Sequence, residues 1–423
     1  MAEILCPYCF KKFKTAEVML QCQNEATQLK QNSENEFTKV PVCPTEDDTK
    51  FSDHWGTHVK TKHIFAPNFG FREKMGLKSI QGKPCDKCGT LSQRFVCPHC
   101  HNWLPTEMIE KGSQIISVIG GPQSGKTNYI VALVHQLLKY RAKLGLTVTL
   151  QQVGRNKAEH TDEIYKAMKK IIFDDHMAVP KTQVRAGQQP IPWIIRLEST
   201  TTKKAVYLVF YDTAGERFDD ASSVEELKYF RESEACIVVF DTLAIPRIKR
   251  ILASKDIDVF GEAFDYKYTW TTLKNFEEAN KWLKLTKKPF AFVFTKFDVV
   301  IANQESLNCD VSDFTDDDGR FTNSSFIKTG KFSLKQVDLA NKAIADYLHA
   351  DDVWDEDSLA SDIWDKWKEN GHFFGVSALG SMTDSTLSIQ TEKDEVVPIR
   401  VMDPLIWILH KLGGFGIPLE GGK

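Results

Sequence analysis

The 423-residue sequence lacks a long apolar run, a large excess of charge of one sign, and a signal-peptide-like apolar segment near its start. Its most apolar stretches, such as Ala235–Phe240 and Leu405–Leu409, are far shorter than the roughly 18–20 residues that cross a bilayer. The formal net charge of −3 disfavours a generally basic binder of nucleic acid or of anionic membranes. The opening residues, MAEILCPYCFKKFK, contain no apolar core before a cleavage site. We therefore expect a cytoplasmic protein without a membrane span.

Composition and length indicate a globular protein with more than one domain. Apolar residues make up 42% of the chain and charged residues 26%, which is typical of a protein with a sizeable core. At roughly 100–200 residues per domain, the length predicts two or three domains. We expect a cysteine-rich module over residues 1–105 and a larger domain over 112–423, interrupted at about 301–370 by an acidic, partly helical insertion.

Cysteine is concentrated at the start of the chain, where eight of the ten cysteines lie within the first 100 residues. These are Cys6, Cys9, Cys22, Cys43, Cys85, Cys88, Cys97 and Cys100. Six of them form C-x-x-C pairs, which indicate metal binding rather than disulfides in a chain without an export signal. The same region is poor in periodic apolar segments, so metal would have to supply folding energy that a small core cannot. We expect one or two structural Zn²⁺ ions in a zinc-ribbon-like module.

Two arrangements of the eight thiolates are compatible with their spacing, because two C-x-x-C pairs complete one tetrahedral Cys₄ site. In the compact arrangement, one ion is held by Cys85, Cys88, Cys97 and Cys100 and the other by Cys6, Cys9, Cys22 and Cys43. In the interleaved arrangement, one ion is held by Cys6, Cys9, Cys97 and Cys100 and the other by Cys22, Cys43, Cys85 and Cys88. The spacing does not choose between them. Either site would be closed, with no open position for zinc chemistry.

The rest of the chain alternates apolar runs with amphipathic segments. QIISVIG, LTVTLQQV, WIIRLES and AVYLVFYD predict strands, and ACIVVFD and FAFVF are apolar enough on both faces to be central ones. Helical patterns lie between them, which predicts an α/β fold with a mainly parallel sheet covered on both sides. Near the end, MDPLIWIL predicts a helix with Asp403 as N-cap, Pro404 at its first position, and Trp407 and Leu409 in the core.

One motif indicates a phosphate site. Residues 120–127, GGPQSGKT, satisfy G-x-x-x-x-G-K-[ST] and lie between a predicted strand and a predicted helix. Glycines let backbone N–H groups face phosphate oxygens, and the helix adds its positive N-terminal end. Lys126 would neutralise β- and γ-phosphate charge, and the Thr127 hydroxyl would bind Mg²⁺. The predicted nucleotide-binding residues here are Gly120, Gln123, Ser124, Gly125, Lys126, Thr127 and Asn128.

Three further segments favour a guanine nucleotide. AVYLVFYD ends in D-T-A-G, where Asp212 would hold Mg²⁺ through water and the Gly215 amide would sense a γ-phosphate. FAFVF ends in T-K-F-D, where Asp298 would accept from guanine N1–H and its 2-amino group, a donor pair that adenine lacks. V-S-A-L follows H-F-F-G, where a loop would contact guanine O6. The predicted base-binding residues are Thr295, Lys296, Asp298, Ser377, Ala378 and Leu379.

These four motifs, each after its own strand and in this order, resemble the Ras-like GTPases of the TRAFAC P-loop class over roughly residues 112–300 and 372–380. The resemblance implies a three-layer P-loop GTPase fold with GTP or GDP and Mg²⁺ as cofactors. It also implies hydrolysis as slow as ~10⁻⁴ s⁻¹ until a partner supplies a cation or orients water. CPYCF, CPHCHNWLP, YDTAGERF and MDPLIWIL more specifically resemble bacterial members with an N-terminal zinc module, which implies a role in prokaryotic regulatory or conflict systems.

One position departs from the Ras-like pattern, and one role in that pattern has several candidate residues in this sequence. Ras-like enzymes commonly carry a water-orienting Gln after the D-x-x-G glycine, where this chain has Glu216. Glu216 could orient water if Arg217 offsets its charge, or it could be an exposed switch residue. For the switch I threonine we choose Thr182, with Thr161 and Thr147 as alternatives.

The leading hypothesis is a GTP-binding, slowly GTP-hydrolysing molecular switch whose zinc module contacts a protein partner. The alternative is a GTP-regulated nucleic-acid adaptor whose zinc ribbon stacks bases on aromatic side chains. Up to residue 110 the chain has 14 Lys and Arg against 13 Asp and Glu, so this region has no basic footprint and the alternative is disfavoured. An ATP-driven enzyme would leave T-K-F-D unexplained.

Overall fold

The computed structural model describes most of the chain and divides it into two compact units. The described residues are 3–31, 37–74, 78–120, 124–154, 156–180, 191–211, 231–255, 287–350, 353, 367–383, 387–389 and 395–421. Unit 1 comprises Met1–Gln114, Gln151–Thr161 and Val184–Pro192, and unit 2 comprises Ile115–Leu150, Asp162–Gln183 and Trp193–Lys423. Among the described residues, no helix has both the length and the apolar content that a bilayer crossing needs.

Unit 1 is built from short antiparallel strands. In chain order they are β1 Glu3–Leu5, β2 Lys12–Lys14, β3 Met19–Gln21, β4 Thr27–Gln31, β5 Phe37–Pro41, β6 Thr45–Asp47, β7 Lys60–Lys62, β8 Ile64–Phe65, β9 Lys83–Pro84, β10 Leu91–Ser92 and β11 Arg94–Val96. They pair as β1–β2, β4–β5, β6–β7 and β9–β10, and β3 lies between β8 and β11. Strands of two to five residues bury little apolar surface, which agrees with a module that needs metal.

Three short helices accompany these strands: α1 Thr49–Trp55, α2 Phe71–Lys74 and α3 Thr106–Lys111. Helix α1 has a capping residue at each end. The Asp48 carboxylate accepts a hydrogen bond from the Phe51 amide at 3.0 Å, and Gly56 ends the helix in the left-handed conformation with φ 66°. Both caps satisfy backbone groups that the helix leaves unpaired.

Unit 2 contains a seven-stranded sheet in the order β13–β14–β15–β12–β16–β17–β18. The strands are β12 Ile115–Gly120, β13 Leu146–Leu150, β14 Pro192–Ser199, β15 Ala205–Tyr211, β16 Ala235–Asp241, β17 Phe290–Thr295 and β18 Gly371–Gly375. The run from β15 to β18 is parallel, and β13 pairs antiparallel with β14. The predicted mixed α/β fold with a mainly parallel sheet is confirmed. The apolar strands β16 and β17 are interior strands, as predicted.

The part of unit 2 that the structure describes contains eight α-helices. They are α4 Lys126–Leu144, α5 Thr161–Lys169, α6 Pro246–Ser254, α7 Asp298–Ala302, α8 Gln304–Leu307, α9 Ser325–Thr329, α10 Leu334–Leu348 and α11 Asp403–Leu412, with one π-helical segment, Lys170–Asp174, after α5. A hydrophobic core of unit 2 lies between the sheet and several of these helices, and it includes most of α4 and α11.

The start of α11 differs from the prediction. Met402 is the N-cap and makes no side-chain capping bond, whereas Asp403 is the first helical residue. The Asp403 carboxylate is buried and accepts a hydrogen bond from Ser324 Oγ at 2.7 Å, so it binds another segment instead of capping its own helix. Trp407 and Leu409 lie in the core as predicted.

Candidate nucleotide site and metal centres

The phosphate loop begins where β12 ends. Gly120 is the last residue of β12, and a Cβ atom there would lie 2.8 Å from the Val239 carbonyl oxygen, so only glycine fits against the neighbouring strand. Gly125 precedes α4 with φ 73°, a left-handed conformation that glycine adopts without steric cost. The chain therefore turns abruptly into a 19-residue helix whose first N–H groups and positive dipole end face the carboxyl edge of the sheet.

The side chains at this turn are mostly buried. Lys126 and Ser124 are 5% and 3% exposed, and the Ser124 hydroxyl has no hydrogen-bond partner among the described residues. A buried, unpaired hydroxyl beside a helix N-terminus suits an anionic ligand. The Asn128 side chain accepts a hydrogen bond from the Val179 amide at 2.9 Å, so it holds the segment after α5.

Thr295 joins the phosphate loop to the T-K-F-D segment at the end of β17. Its Oγ1 lies 2.7 Å from the Ser124 carbonyl oxygen and 3.0 Å from the Phe240 carbonyl oxygen. Residues that are 171 positions apart are thereby linked at the same edge of the sheet. Two of the sequence motifs consequently lie in one place.

Lys296 follows Thr295 with φ 55°, and its side chain is held by a residue that the sequence analysis did not single out. Asp241, the last residue of β16, places Oδ2 at 2.9 Å from Lys296 Nζ, and its Oδ1 accepts from the Leu243 amide at 3.0 Å. Next to it, Thr242 Oγ1 donates to the Thr295 carbonyl oxygen. The signal in the sequence is an acid at the carboxyl end of an apolar parallel strand, at the edge of the sheet where such strand ends meet.

We predict that Asp241→Asn speeds the dissociation of fluorescent GDP by about three- to tenfold in stopped-flow measurements. Loss of a hydrogen bond between charged groups costs on the order of 1.5–3 kcal/mol, and this value is reduced here because Lys296 is partly exposed. The Asn side chain retains the acceptor for the Leu243 amide, so the turn is preserved. As a control, Asp338→Asn removes an acid that lies 2.9 Å from His372 at the start of β18. Equal dissociation rates in all three proteins would contradict a role for Asp241.

Asp298 lies beside the predicted base loop. Burial raises the pKa of its carboxyl group, whereas a hydrogen bond with Ser377 and the charge of Lys296 lower it. Ser377 is 1% exposed, and its Oγ accepts from the Gly380 amide at 2.9 Å. The Phe297 amide donates to the Val376 carbonyl oxygen at 3.1 Å, which joins the two segments through the backbone. Ala378 is buried and Leu379 is half-buried in the same loop.

Several predicted site residues lie outside the described residues. They are Gln123, Thr182, Asp212, Gly215 and Glu216. The roles assigned to them, together with the choice between Thr182 and its alternatives, stay predictions.

Unit 1 contains three turns of the same construction, one at each C-x-x-C pair. In each turn the first cysteine amide bonds the carbonyl five residues later, at Lys11, Thr90 or Asn102, with N···O distances of 2.9–3.1 Å. The residue four positions after the first cysteine has a left-handed backbone, with φ between 50° and 72°. These residues are Phe10, Gly89 and His101. The backbone amides of Tyr8 and His99 donate hydrogen bonds to the sulfur atoms of Cys6 and Cys97, respectively. Such hydrogen bonds stabilise the thiolate form of cysteine.

The sulfur atoms form two groups of four in the interleaved arrangement. One group is Cys6, Cys9, Cys97 and Cys100, and the other is Cys22, Cys43, Cys85 and Cys88. Within the groups, the closest Sγ···Sγ distances are 3.5–3.9 Å. A tetrahedral ion with Zn–S bonds of about 2.3 Å places sulfurs roughly 3.8 Å apart, so both groups fit Zn²⁺. Hydrogen bonds from Thr90 and Asn24 lower the pKa of the Cys88 thiol to about 6, which favours the thiolate, the form that binds metal.

Comparison with known families gives one match that bears on this site. Residues 114–310 match the family model described as Double-GTPase 2. This match supports a GTPase. The matched residues make up slightly less than half of the chain, and they include the phosphate loop, D-T-A-G and T-K-F-D, with the V-S-A-L loop beyond them.

Two similar proteins provide further context. The putative ESX-1 scaffolding and assembly protein SaeC of Mycolicibacterium smegmatis is 25% identical over 160 residues, which cover 36% of this chain and 40% of that protein. The chain thus matches less than half the length of this curated relative. Among solved structures, the GTPase-like domain of S. cerevisiae Ski7 bound to GTP aligns with TM-score 0.32 and 11% identity, over 71% of this chain and 50% of that one.

Proposed function

We propose that this protein is a GTP-binding molecular switch of the Ras-like type that hydrolyses GTP slowly. The observation that carries the proposal is the contact of Thr295 Oγ1 with the Ser124 carbonyl oxygen, because it brings the guanine motif to the phosphate loop. The family match over residues 114–310 supports the same activity. The start of α4 and the buried Ser124 hydroxyl, which has no hydrogen-bond partner within the described part of the chain, provide surroundings that suit a phosphate.

Each part of the nucleotide has candidate residues. Backbone N–H groups of the phosphate loop and Lys126 would hold the phosphates, while Thr127 and Asp212 would bind Mg²⁺, directly and through water respectively. Asp298 would accept from guanine while the aliphatic part of Lys296 lies along the base. The ion, once bound, would neutralise charge on the terminal phosphates. The candidate for orienting water is Glu216, with Arg217 offsetting its charge.

For unit 1 we propose two structural Zn²⁺ ions and a surface that contacts a protein partner. The name of the SaeC relative, a putative scaffolding and assembly protein, agrees with a partner-associated role. We further propose that the protein is a bacterial TRAFAC GTPase that acts in a regulatory or conflict system. This proposal for the clade and the biological process rests on the sequence resemblance alone. For the nucleic-acid alternative, the candidate stacking residues are Phe10, Phe13, Trp55, Phe65, Phe69 and Phe71. Four of them, Phe13, Trp55, Phe65 and Phe69, are buried, whereas Phe10 is half-buried and Phe71 is exposed, so most of these rings are not available to stack on bases.

The test is equilibrium binding of fluorescent GTP and ATP analogues with Mg²⁺. We expect GTP to bind and ATP to be ignored, and Lys126→Ala to weaken GTP binding by at least about 100-fold, since a buried charge contact to phosphate is lost. Lys139→Ala, which removes an exposed lysine from the same helix, should bind GTP as the wild type does. Equal affinity of the wild type for GTP and ATP would refute the proposal.

A further inference from the structure

Arg400 is a buried arginine with an unusual backbone. It is 4% exposed, and its φ of 56° lies in the left-handed region that non-glycine residues rarely adopt. A strained conformation and a buried charge both cost free energy, and they persist only where surrounding contacts hold them. The preceding residue, Ile399, exchanges two backbone hydrogen bonds with Ser377, at 3.1 and 2.8 Å. Arg400 is therefore adjacent in sequence to a residue that pairs with the base loop.

The side chain of Arg400 binds one segment of the acidic insertion. Its Nη2 donates to the Asp313 carbonyl oxygen at 2.6 Å, and its Nε donates to the Thr322 carbonyl oxygen at 3.0 Å. The guanidinium lies over the Phe314 ring at 4.8 Å, which is a cation–π distance. The Arg400 amide donates to Asn323 Oδ1 at 2.8 Å. We name residues 313–323 the brace segment.

The brace segment also contacts the T-K-F-D residues. The Phe314 ring lies 4.9 Å from the ring of Phe297, and Phe321 lies 6.1 Å from it, both in tilted packing. Phe297 stands between the proposed base-binding residues Lys296 and Asp298. Its ring covers Gly375 so closely that a Cβ atom there would lie 2.5 Å from it. The position of Phe297 is thus fixed from two sides.

We propose that Arg400 is a positioning residue for guanine: it locks the brace segment against Phe297 while Ile399 holds Ser377, so that Asp298 and the base loop keep the spacing that the base requires. Recognition of a base by a carboxylate tolerates displacements of only about 0.5 Å, so indirect support of this kind determines selectivity. This inference rests on the proposed GTP site and adds to it a specificity determinant that touches neither base nor phosphate.

The experiment compares GDP, inosine diphosphate, ADP and inorganic tripolyphosphate as competitors of a fluorescent guanine nucleotide. Inosine lacks the 2-amino group, so the ratio of GDP to inosine diphosphate affinity reports the alignment of Asp298, whereas tripolyphosphate reports the phosphate loop alone. In Arg400→Gln we expect GDP affinity to fall about tenfold and the ratio to fall towards one, with tripolyphosphate binding unchanged. Arg400→Lys, which keeps the charge, should recover part of the ratio.

Arg196→Gln is the matched control, because Arg196 is also buried but lies in β14, four strands away from β17 in the sheet order. It should leave the ratio unchanged, even if it lowers the melting temperature. If Arg400→Gln does not fold, Phe314→Leu keeps an apolar side chain and should lower the ratio in the same direction. A folded Arg400→Gln protein with the wild-type ratio would overturn the inference. A wild type without preference for GDP over ADP would instead overturn the proposed GTP site itself.

Discussion

Asp298→Asn is expected to weaken GTP binding by about 10²–10⁴-fold and to create binding of xanthosine triphosphate. Guanine offers two donors, and each hydrogen bond to a charged acceptor contributes on the order of 1.5–3 kcal/mol. An Asn side chain keeps one acceptor for N1–H but presents an amide donor to the guanine 2-amino group. Xanthine has a carbonyl oxygen at that position, so the same amide becomes complementary. Equilibrium titration with fluorescent analogues of both nucleotides measures the exchange.

The control for this exchange is Asp346→Asn, which removes an exposed carboxylate from helix α10, outside the brace segment, and should leave both affinities at the wild-type value. The pH dependence of GTP binding provides a second measurement. Because burial raises the pKa of Asp298, its protonation at low pH should weaken GTP binding in the wild type at a higher pH than an ordinary aspartate would. If Asp298→Asn binds GTP as tightly as the wild type, T-K-F-D is only a turn.

Local features of the sequence were sufficient to predict the strand and the helix on either side of the phosphate-loop motif. The apolar run of β12, the glycines and the amphipathic pattern of α4 are all encoded within about thirty consecutive residues, and the structure reproduces them as Ile115–Gly120 and Lys126–Leu144. The central position of β16 and β17 was equally predictable, because strands buried on both faces are apolar throughout. Prediction succeeded wherever the cause lay in neighbouring residues.

Contacts between distant segments were not predictable in the same way. Lys296 pairs with an acid 55 positions away, and Arg400 reaches a carbonyl group 87 positions away, and neither pairing leaves a periodic signal in the sequence. Asp403 illustrates the error that follows. An acid before proline is a good local N-cap candidate, but Ser324, 79 positions away, determines where its carboxylate points. Side chains at functional sites are often fixed by such long-range contacts, so motifs could be proposed from the sequence, whereas the residues that hold them in place could not.

In the zinc module, too, the local turns could be predicted from the sequence, whereas the grouping of distant cysteines could not. Each C-x-x-C turn is determined by its own six residues, but the choice of partner depends on how distant segments of unit 1 fold together, and spacing alone left two arrangements open. Pairs of substitutions distinguish these arrangements. With the interleaved groups, Cys6→Ser with Cys97→Ser damages a single site, and we expect about one Zn²⁺ per chain to remain. Cys85→Ser with Cys97→Ser damages both sites and should leave none.

The compact arrangement predicts the reverse for the same two proteins, since Cys85 and Cys97 would then share an ion. Zinc content per chain, measured on purified protein by mass spectrometry of the metal, decides between them. Cys309→Ser, a buried cysteine of unit 2, is the control and should retain two ions. Binding of structural zinc contributes on the order of 10–16 kcal/mol to the folding of such small modules. Unit 1 should therefore be unfolded in the protein that holds no zinc. One ion in Cys85→Ser with Cys97→Ser, and none in Cys6→Ser with Cys97→Ser, would show that the interleaved grouping is wrong.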